Sequence, residues 1–253
     1  MLALMRIVPA LSLTLALTLS GCASTSAPPS SGAKVAARTS PAADPDAADM
    51  VDVRELVPDL AQEIRYAGYD NFLGRPVAGY GAARCYLLRP VAQALQRVEI
   101  ALRREGLRLK VFDCYRPARA VADFVVWAGD LGDQSTKAAY YPRLAKSALL
   151  GDYISPTSGH SRGATLDLSL MRCARANDPA VACTPLDMGT PFDYFDVSAH
   201  TDWPGATPAQ RENRQRLLAA MAREGFANYP LEWWHYTYKP EPAPDTAYDF
   251  PIR

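Results

Sequence analysis

Residues 165–170 read Thr-Leu-Asp-Leu-Ser-Leu, and only an extended strand sorts this strict alternation into a leucine face and a polar face carrying Asp167. A strand of this kind cannot stand alone, because its leucines need an apolar layer built from other segments. Just upstream, "SGHSRG" at 158–163 brings in His160, one of three histidines in the chain, with Gly163 allowing a tight turn into the strand.

The apolar layer is legible elsewhere. In "RPVAQALQRVEIALRREG" (89–106), Val91, Leu95, Val98 and Leu102 recur at helical spacing, with Pro90 near the start and Gly106 at the stop. "LRLKVFDCY" (107–115) follows as a second half-buried strand with Leu107, Leu109 and Val111 on one face. "RPARAVADFVVWAGD" (116–130) predicts a helix opened by Pro117. Thr207 and Pro208 open a third helix, with Leu217, Leu218 and Met221 as its core stripe and Gly225 as its end. A last strand is expected over "LEWWHYTY" (231–238). There is no regular βαβ rhythm, no Gly-rich phosphate loop and no internal repeat. The fold class is therefore α+β, a mostly antiparallel sheet with packed helices in a single domain over residues 51–253.

The N-terminus has a different character. Arg6 precedes an apolar run ending LALTLSGC, too short to span a bilayer and bounded by small residues, as in an export signal over 1–21. Leu19-Ser20-Gly21-Cys22 resembles the lipobox of bacterial lipoproteins, which implies cleavage before Cys22 and acylation of its sulfur. Ala23 after the cysteine points to the outer membrane, at its periplasmic side. Residues 22–50, rich in Ala, Ser and Pro, read as the lipidated cysteine and a disordered tether with a reach of roughly 30 Å. Lys plus Arg and Asp plus Glu each total 27, so no single-sign field favours nucleic acid or an anionic membrane surface. The membrane is then met through the lipid anchor only.

The other cysteines are Cys85, Cys114, Cys173 and Cys183, an even number that suits disulfides in an oxidising compartment. Three pairings are possible. Cys173 with Cys183, closing "CARANDPAVAC", and Cys85 with Cys114 are favoured. A cysteine metal site lacks the necessary C-x-x-C spacing.

His160, Asp167 and His235 together make two imidazoles and a carboxylate, the three protein ligands of a catalytic zinc that keeps a fourth position for water. Glu232, in "EWWH", is the candidate general base. Positions three apart face opposite ways on a regular strand, so Glu232 and His235 converge only if the strand is distorted between them. A water-attacked peptide carbonyl also needs a fixed donor for its developing charge. Arg116 stands at a strand-to-helix junction, with Asp113 to orient it. Ser158, Asp187 and Asp193 are candidates for substrate binding, with the two aspartates suited to an ammonium. His200 reads as a surface or supporting residue and Arg162 as a residue of the pocket mouth or of the solvated surface. Trp233, Trp234, Tyr236 and Tyr238 read as pocket wall and core.

Ser158, His160, Gly163 and Asp167 nearly meet the pattern S-x-H-x-x-G-x-A-x-D, with the alanine displaced by one position to Ala164. With E-x-W-H at 232–235, "DCYRP" at 113–117, "NFLGRPVAGY", "ARCYLL" and "DMGTPFDYFD", the chain resembles the D-alanyl-D-alanine dipeptidases, the VanX-like branch of the zinc D,D-peptidases. The resemblance covers most of residues 51–240. It implies one Zn2+ per chain on His160, Asp167 and His235, metal-bound water as nucleophile, Glu232 as base and Arg116 stabilising the tetrahedral intermediate. The implied substrate is a small D,D-dipeptide cut to two D-alanines. A zinc D,D-carboxypeptidase acting on peptidoglycan stem peptides and a non-catalytic peptidoglycan-binding lipoprotein are the alternatives.

Overall fold

The leucine face of residues 165–170 lies at the middle of a sheet. The structure, a computed structural model, describes residues 37–179 and 181–253; the expected signal peptide, the Cys22 lipidation site and the tether as far as residue 36 lie outside the described residues. In chain order the elements are β1 (Arg38–Thr39), β2 (Met50–Asp52), β3 (Ala61–Gln62), β4 (Tyr86–Leu88), α1 (Arg89–Arg103), β5 (Leu107–Asp113), α2 (Ala118–Gly129) and α3 (Lys137–Tyr140). They continue with β6 (Thr165–Cys173), β7 (Cys183–Pro185), α4 (Pro208–Arg223), β8 (Phe226–Asn228), β9 (His235–Tyr238) and β10 (Thr246–Ala247), joined by short 3-10 turns. The main sheet runs β3-β5-β6-β9-β8, with β7 on the far half of β6. β3 is parallel to β5 and the other pairs are antiparallel, as the α+β reading expects.

Helices α1 and α4 pack on each other and on the sheet, α1 against β5 and α4 against β6 and β8. Between them and the sheet lie Val91, Leu95, Val98, Leu102, Leu217 and Met221, facing Leu109, Val111, Leu166, Leu168 and Leu170, all buried. Each contributes about 1.5–3 kcal/mol by leaving water, so the leucine face decides which side of β6 turns to the helices. The polar face is not solvated, however. Thr165, Asp167 and Ser169 are buried as well, because the segments before β6 and after β7 fold over them. Both expected disulfides are present, Cys85–Cys114 and Cys173–Cys183.

Pro117 opens α2 from the N-cap position, as expected. Two sequence expectations need correction. The strand expected over 231–238 begins only at His235, after a turn. The stretch 37–50, assigned to the tether, is part of the fold: Arg38 and Thr39 pair with Thr246 and Ala247, and Met50 is buried in β2. A short pairing with a distant strand leaves no periodic trace in the sequence, which is why the boundary was legible only in three dimensions.

Two buried charges are answered within the fold. Glu99, on the apolar side of α1, accepts from Arg103 Nε (3.0 Å), Arg108 Nε (3.1 Å) and the Leu109 amide (2.8 Å). Arg214 of α4 is fully buried and donates to the carbonyls of Met188 (2.7 Å), Ser198 (2.9 Å) and His200 (2.7 Å). It thereby pins the loop 188–200 to the helix. The Arg214→Leu change strands these three carbonyls, at about 1–3 kcal/mol each. The thermal midpoint is expected to fall by roughly 10 °C or more, measured by circular dichroism. Arg216→Met, which removes only an exposed pair with Glu212, is expected to leave it unchanged.

Candidate active site

Asp113, Asp167 and His235 form one row across three strands, Asp113 opposite Asp167 in the β5–β6 pair and Asp167 opposite His235 in the β6–β9 pair. Without irregularity Asp113 would share a face with Val111, toward the helices. The register of β5 shifts between Val111 and Asp113, and this re-aims the carboxylate to the polar side. His160 comes from the 3-10 turn His160–Arg162, ended by Gly163 at φ 69°. A side chain at Gly163 would be strained at this φ and would run into Met50. The turn's backbone is tied on several sides, through Leu88 N to Gly163 O (3.0 Å), Arg116 N to His160 O (3.3 Å) and Tyr248 N to Ser161 O (2.8 Å).

Three ligand atoms face a common point. His160 Nε2 lies 3.4 Å from Asp167 Oδ1 and 3.4 Å from His235 Nδ1, and His235 Nδ1 lies 3.1 Å from Asp167 Oδ1. Ligand atoms on a tetrahedral zinc with bonds of ~2.0–2.1 Å stand roughly 3.3–3.4 Å apart. Asp167 Oδ1 is buried and makes no hydrogen bond among the described residues. His160 Nδ1 is 2.7 Å from the Cys114 carbonyl, which can only accept, so Nδ1 carries the proton and Nε2 turns its lone pair to the centre. The donor set therefore fits a metal ion, and the atoms are already placed for one. His160 and Asp167 are buried, while the His235 side chain is 21% exposed, so the centre opens to solvent on the His235 side.

The surrounding charges are unbalanced without a cation. Asp113, Asp167, Asp193 and Glu232 are all buried and face the Arg116 guanidinium, so ionising all four would leave a formal excess of three negative charges among the described residues of the cluster. Burial raises Glu232 well above the ordinary carboxyl range, and Asp167 and Asp193 push it further. Asp193 is raised in the same way, by burial and then by Asp167. Burial also opposes ionisation of Asp167, but the two imidazoles beside it win and hold it below the usual range. A divalent metal together with the ammonium of a ligand would cancel the excess.

Arg116 donates from Nε to Asp113 Oδ2 (2.9 Å) and lies with Nη2 3.4 Å from Asp167 Oδ2. Its planar face rests on Tyr66 and Phe124, 5.1 and 4.9 Å from their ring centres. These contacts fix the fork while using only part of its five N–H donors. Glu232 Oε2 is 3.4 Å from His235 Nδ1. The turn between Glu232 and β9 supplies the expected distortion, so the carboxylate and the imidazole share one side.

The substrate-binding candidates separate. Asp193, at φ 59°, is buried beside the cluster and accepts from Tyr66 Oη at 2.9 Å. Asp187 does not join it. Its carboxylate accepts from the Gly189 amide (2.8 Å) and Gln210 Nε2 (2.8 Å) at the head of α4, where it acts as a loop cap. Ser158 Oγ accepts from the His160 amide (3.2 Å) and so braces the ligand turn. His200 Nε2 lies 3.4 Å from Tyr153 Oη. Arg162 is bound to Glu241 (2.5 and 3.1 Å) and does not face water freely. Trp233, Trp234 and Tyr236 are buried, as expected for wall and core, and Tyr238 is half-buried. Sequence reasoning missed Tyr66 and also Tyr80, whose hydroxyl donates to Asp113 Oδ1 at 2.6 Å. Both lie in irregular segments where no periodicity marks them, although Tyr80 closes the "NFLGRPVAGY" stretch.

The D-ala-D-ala dipeptidase family model matches residues 46–253. The chain belongs to this family. It is 40% identical over 205 residues to the D-alanyl-D-alanine dipeptidase of Streptomyces coelicolor, covering 81% of this chain and 98% of that one. It is 34% identical to the enzyme of the same name from Enterococcus faecium (79% and 96% covered) and 33% identical to that of Escherichia coli K12 (76% and 85%). A vancomycin-resistance D,D-pentapeptidase solved with Zn(II) is 18% identical, with a TM-score of 0.36 over 68% of this chain and 80% of that one, too distant to inform the site. For a dipeptidase of this family the His160, Asp167 and His235 arrangement makes a direct prediction. The purified protein is expected to bind about one divalent ion per chain, and Asp167→Asn to lose it on dialysis against a chelator while keeping its far-ultraviolet spectrum. Elemental analysis of the dialysed samples checks this.

Proposed function

We propose that the protein is a zinc-dependent dipeptidase that cuts D-alanyl-D-alanine into two D-alanines. The observation that carries this reading is the convergence of His160 Nε2, Asp167 Oδ1 and His235 Nδ1 on one point, with Glu232 at its edge. Zinc held by these three residues would polarise the scissile carbonyl and bring the pKa of a bound water to about 7.

The chain's own residues do the rest. Glu232 accepts a proton from the attacking water and returns it to the nitrogen of the leaving D-alanine, a task suited to a carboxyl whose proton affinity burial has raised. Arg116, clamped by Asp113, donates to the carbonyl oxygen as charge builds on it, an interaction that strengthens toward the transition state. Asp193, steadied by Tyr66, receives the free ammonium of the dipeptide. That last role favours a dipeptidase over a carboxypeptidase, whose substrate has an acylated nitrogen and offers a buried carboxylate an amide N–H but no positive charge. The presence of a base at the centre speaks against a purely binding role.

The site of action follows from a second line of support. The Leu19-Ser20-Gly21-Cys22 stretch and two disulfides among the other cysteines both suit an exported lipoprotein working at the periplasmic face of the envelope, on the outer membrane.

Release of D-alanine from free D-Ala-D-Ala and from its N-acetyl form tests the substrate assignment. Rapid cleavage of the free dipeptide is expected, and preference for the blocked one would overturn the dipeptidase reading. Glu232→Gln should retain metal and lose about 10²–10⁴-fold in kcat. Asp193→Asn should act mainly by raising KM for the free dipeptide.

A further inference from the structure

The segment 113–116 serves the centre in more than one way. Asp113 orients Arg116, the Cys114 carbonyl holds the His160 ring by its Nδ1 proton at 2.7 Å, and the Arg116 amide donates back to the His160 carbonyl at 3.3 Å. What holds this segment itself is β4 and the residue before it. Cys85 is bonded to Cys114, both of them buried, and the Tyr115 amide donates to the Tyr86 carbonyl at 2.9 Å. Two residues on, the Leu88 amide donates to the Gly163 carbonyl at 3.0 Å, at the end of the turn that carries His160. One short strand thus anchors both the ligand turn and the backbone that aims the ligand ring, and the disulfide is its covalent attachment to the latter.

The Cys173–Cys183 bond differs in place and role. It joins the far end of β6 to β7, and its register partners are Met171, Arg172 and Cys173, remote along the strand from Asp167. It makes no contact with the residues that support His160 or Arg116 among the interactions of the described residues.

We propose that the Cys85–Cys114 disulfide is a positioning element of the metal centre, so that the centre reaches full metal affinity only when this pair is oxidised. Formation of the bond transfers two electrons from the two thiols to an external disulfide of the thiol-exchange class, which leaves as a dithiol carrying the two protons. Without the bond, the segment that carries the Cys114 carbonyl keeps only noncovalent supports, the Tyr115 amide on Tyr86 and the hydroxyls of Tyr115 and Tyr80 on Phe250 and Asp113, and the acceptor of the His160 ring loses its covalent constraint. The consequence is a hydrolase that matures after transfer to an oxidising compartment. The proposal rests on the metal reading of the His160, Asp167 and His235 site, and not on the identity of the substrate.

The test compares three forms of the exported chain: the parent, C85A/C114A and C173A/C183A. Zinc affinity is measured by competition with a chromogenic chelator, alongside the thermal midpoint of the metal-free protein and the kcat and KM for D-Ala-D-Ala. C85A/C114A is expected to bind zinc about 10–100-fold more weakly, the range for losing an outer-shell support, and C173A/C183A to match the parent within about twofold on the same scale. Equal zinc affinity in C85A/C114A and the parent overturns the proposal. So does equal weakening in both variants, which would mean that each bond acts only on overall stability.

If C85A/C114A does not fold, C173A/C183A is refolded with zinc in thiol–disulfide buffers of graded potential. Metal content and the oxidised fraction of Cys85–Cys114 are then read on the same folded samples. The two are expected to rise together, and folded, reduced protein holding zinc at the parent's affinity overturns the proposal. Neither zinc readout involves a peptide, so failure of the dipeptidase assignment and failure of this inference are separately visible.

Discussion

The centre depends on the register of β6. Asp167 stands opposite Asp113 on one side and His235 on the other, so a single strand aligns the carboxylate ligand, one imidazole ligand and the aspartate that aims the arginine. A one-residue slip in either pair would turn Asp167 into the core and a leucine into the site. Leu166, Leu168 and Leu170 prevent it, since each is fully buried against the helical layer. Hydrophobic burial and the placement of a carboxylate that could hold a metal ion are therefore one constraint seen from two faces of the same strand. The register shift in β5 completes the row by bringing Asp113 onto the side that β5's own alternation would have denied it.

The same row carries an electrostatic cost that shapes everything around it. Asp113 and Asp167 are directly opposed like charges, a destabilising pair in a sheet. Arg116 bridges them, and the rings of Tyr66 and Phe124 behind it keep the guanidinium in place without adding charge. One cation does not suffice for four buried acids. Burial, and after it this surplus of neighbouring carboxylates, raises Asp193 and Glu232 well above the ordinary carboxyl range.

How much of this the sequence disclosed depends on whether a residue's role is local or tertiary. The alternation around Asp167 and the helical stripes of α1 and α4 are periodic signals, and the sheet, its helices and the ligand strand follow from them. His235 and Glu232 stand close in sequence, and the turn that lets them converge follows from the opposite facing of positions three apart. Asp187 and Asp193 are indistinguishable in sequence because each is an aspartate two residues after a proline in the same irregular stretch. Only packing shows that one closes its own loop and holds the Gln210 side chain while the other is sealed against Tyr66. Tyr66, Tyr80 and the Cys114 carbonyl were invisible for a related reason: a backbone acceptor has no side-chain identity, and a loop tyrosine has no period. Arg214 hid among the charges of an apparently amphipathic helix, where composition labels it surface although it is fully buried.

The support of His160 brings these strands of reasoning together. Its turn is bonded to β4 through Gly163, to the segment after β5 through Arg116 and Cys114, and to the segment after β10 through Ser161. These pieces come from widely separated parts of the chain. The ring takes its aim from the Cys114 carbonyl, and the turn's backbone is tied to β4 and to the C-terminal segment. Metal affinity at such a centre is folding free energy in large part, because the unfolded chain offers no arrangement of the same three donors. It follows that residues far from the metal can alter its occupancy without touching it. The C-terminal segment supports the turn in this way, through the Tyr248 amide on the Ser161 carbonyl.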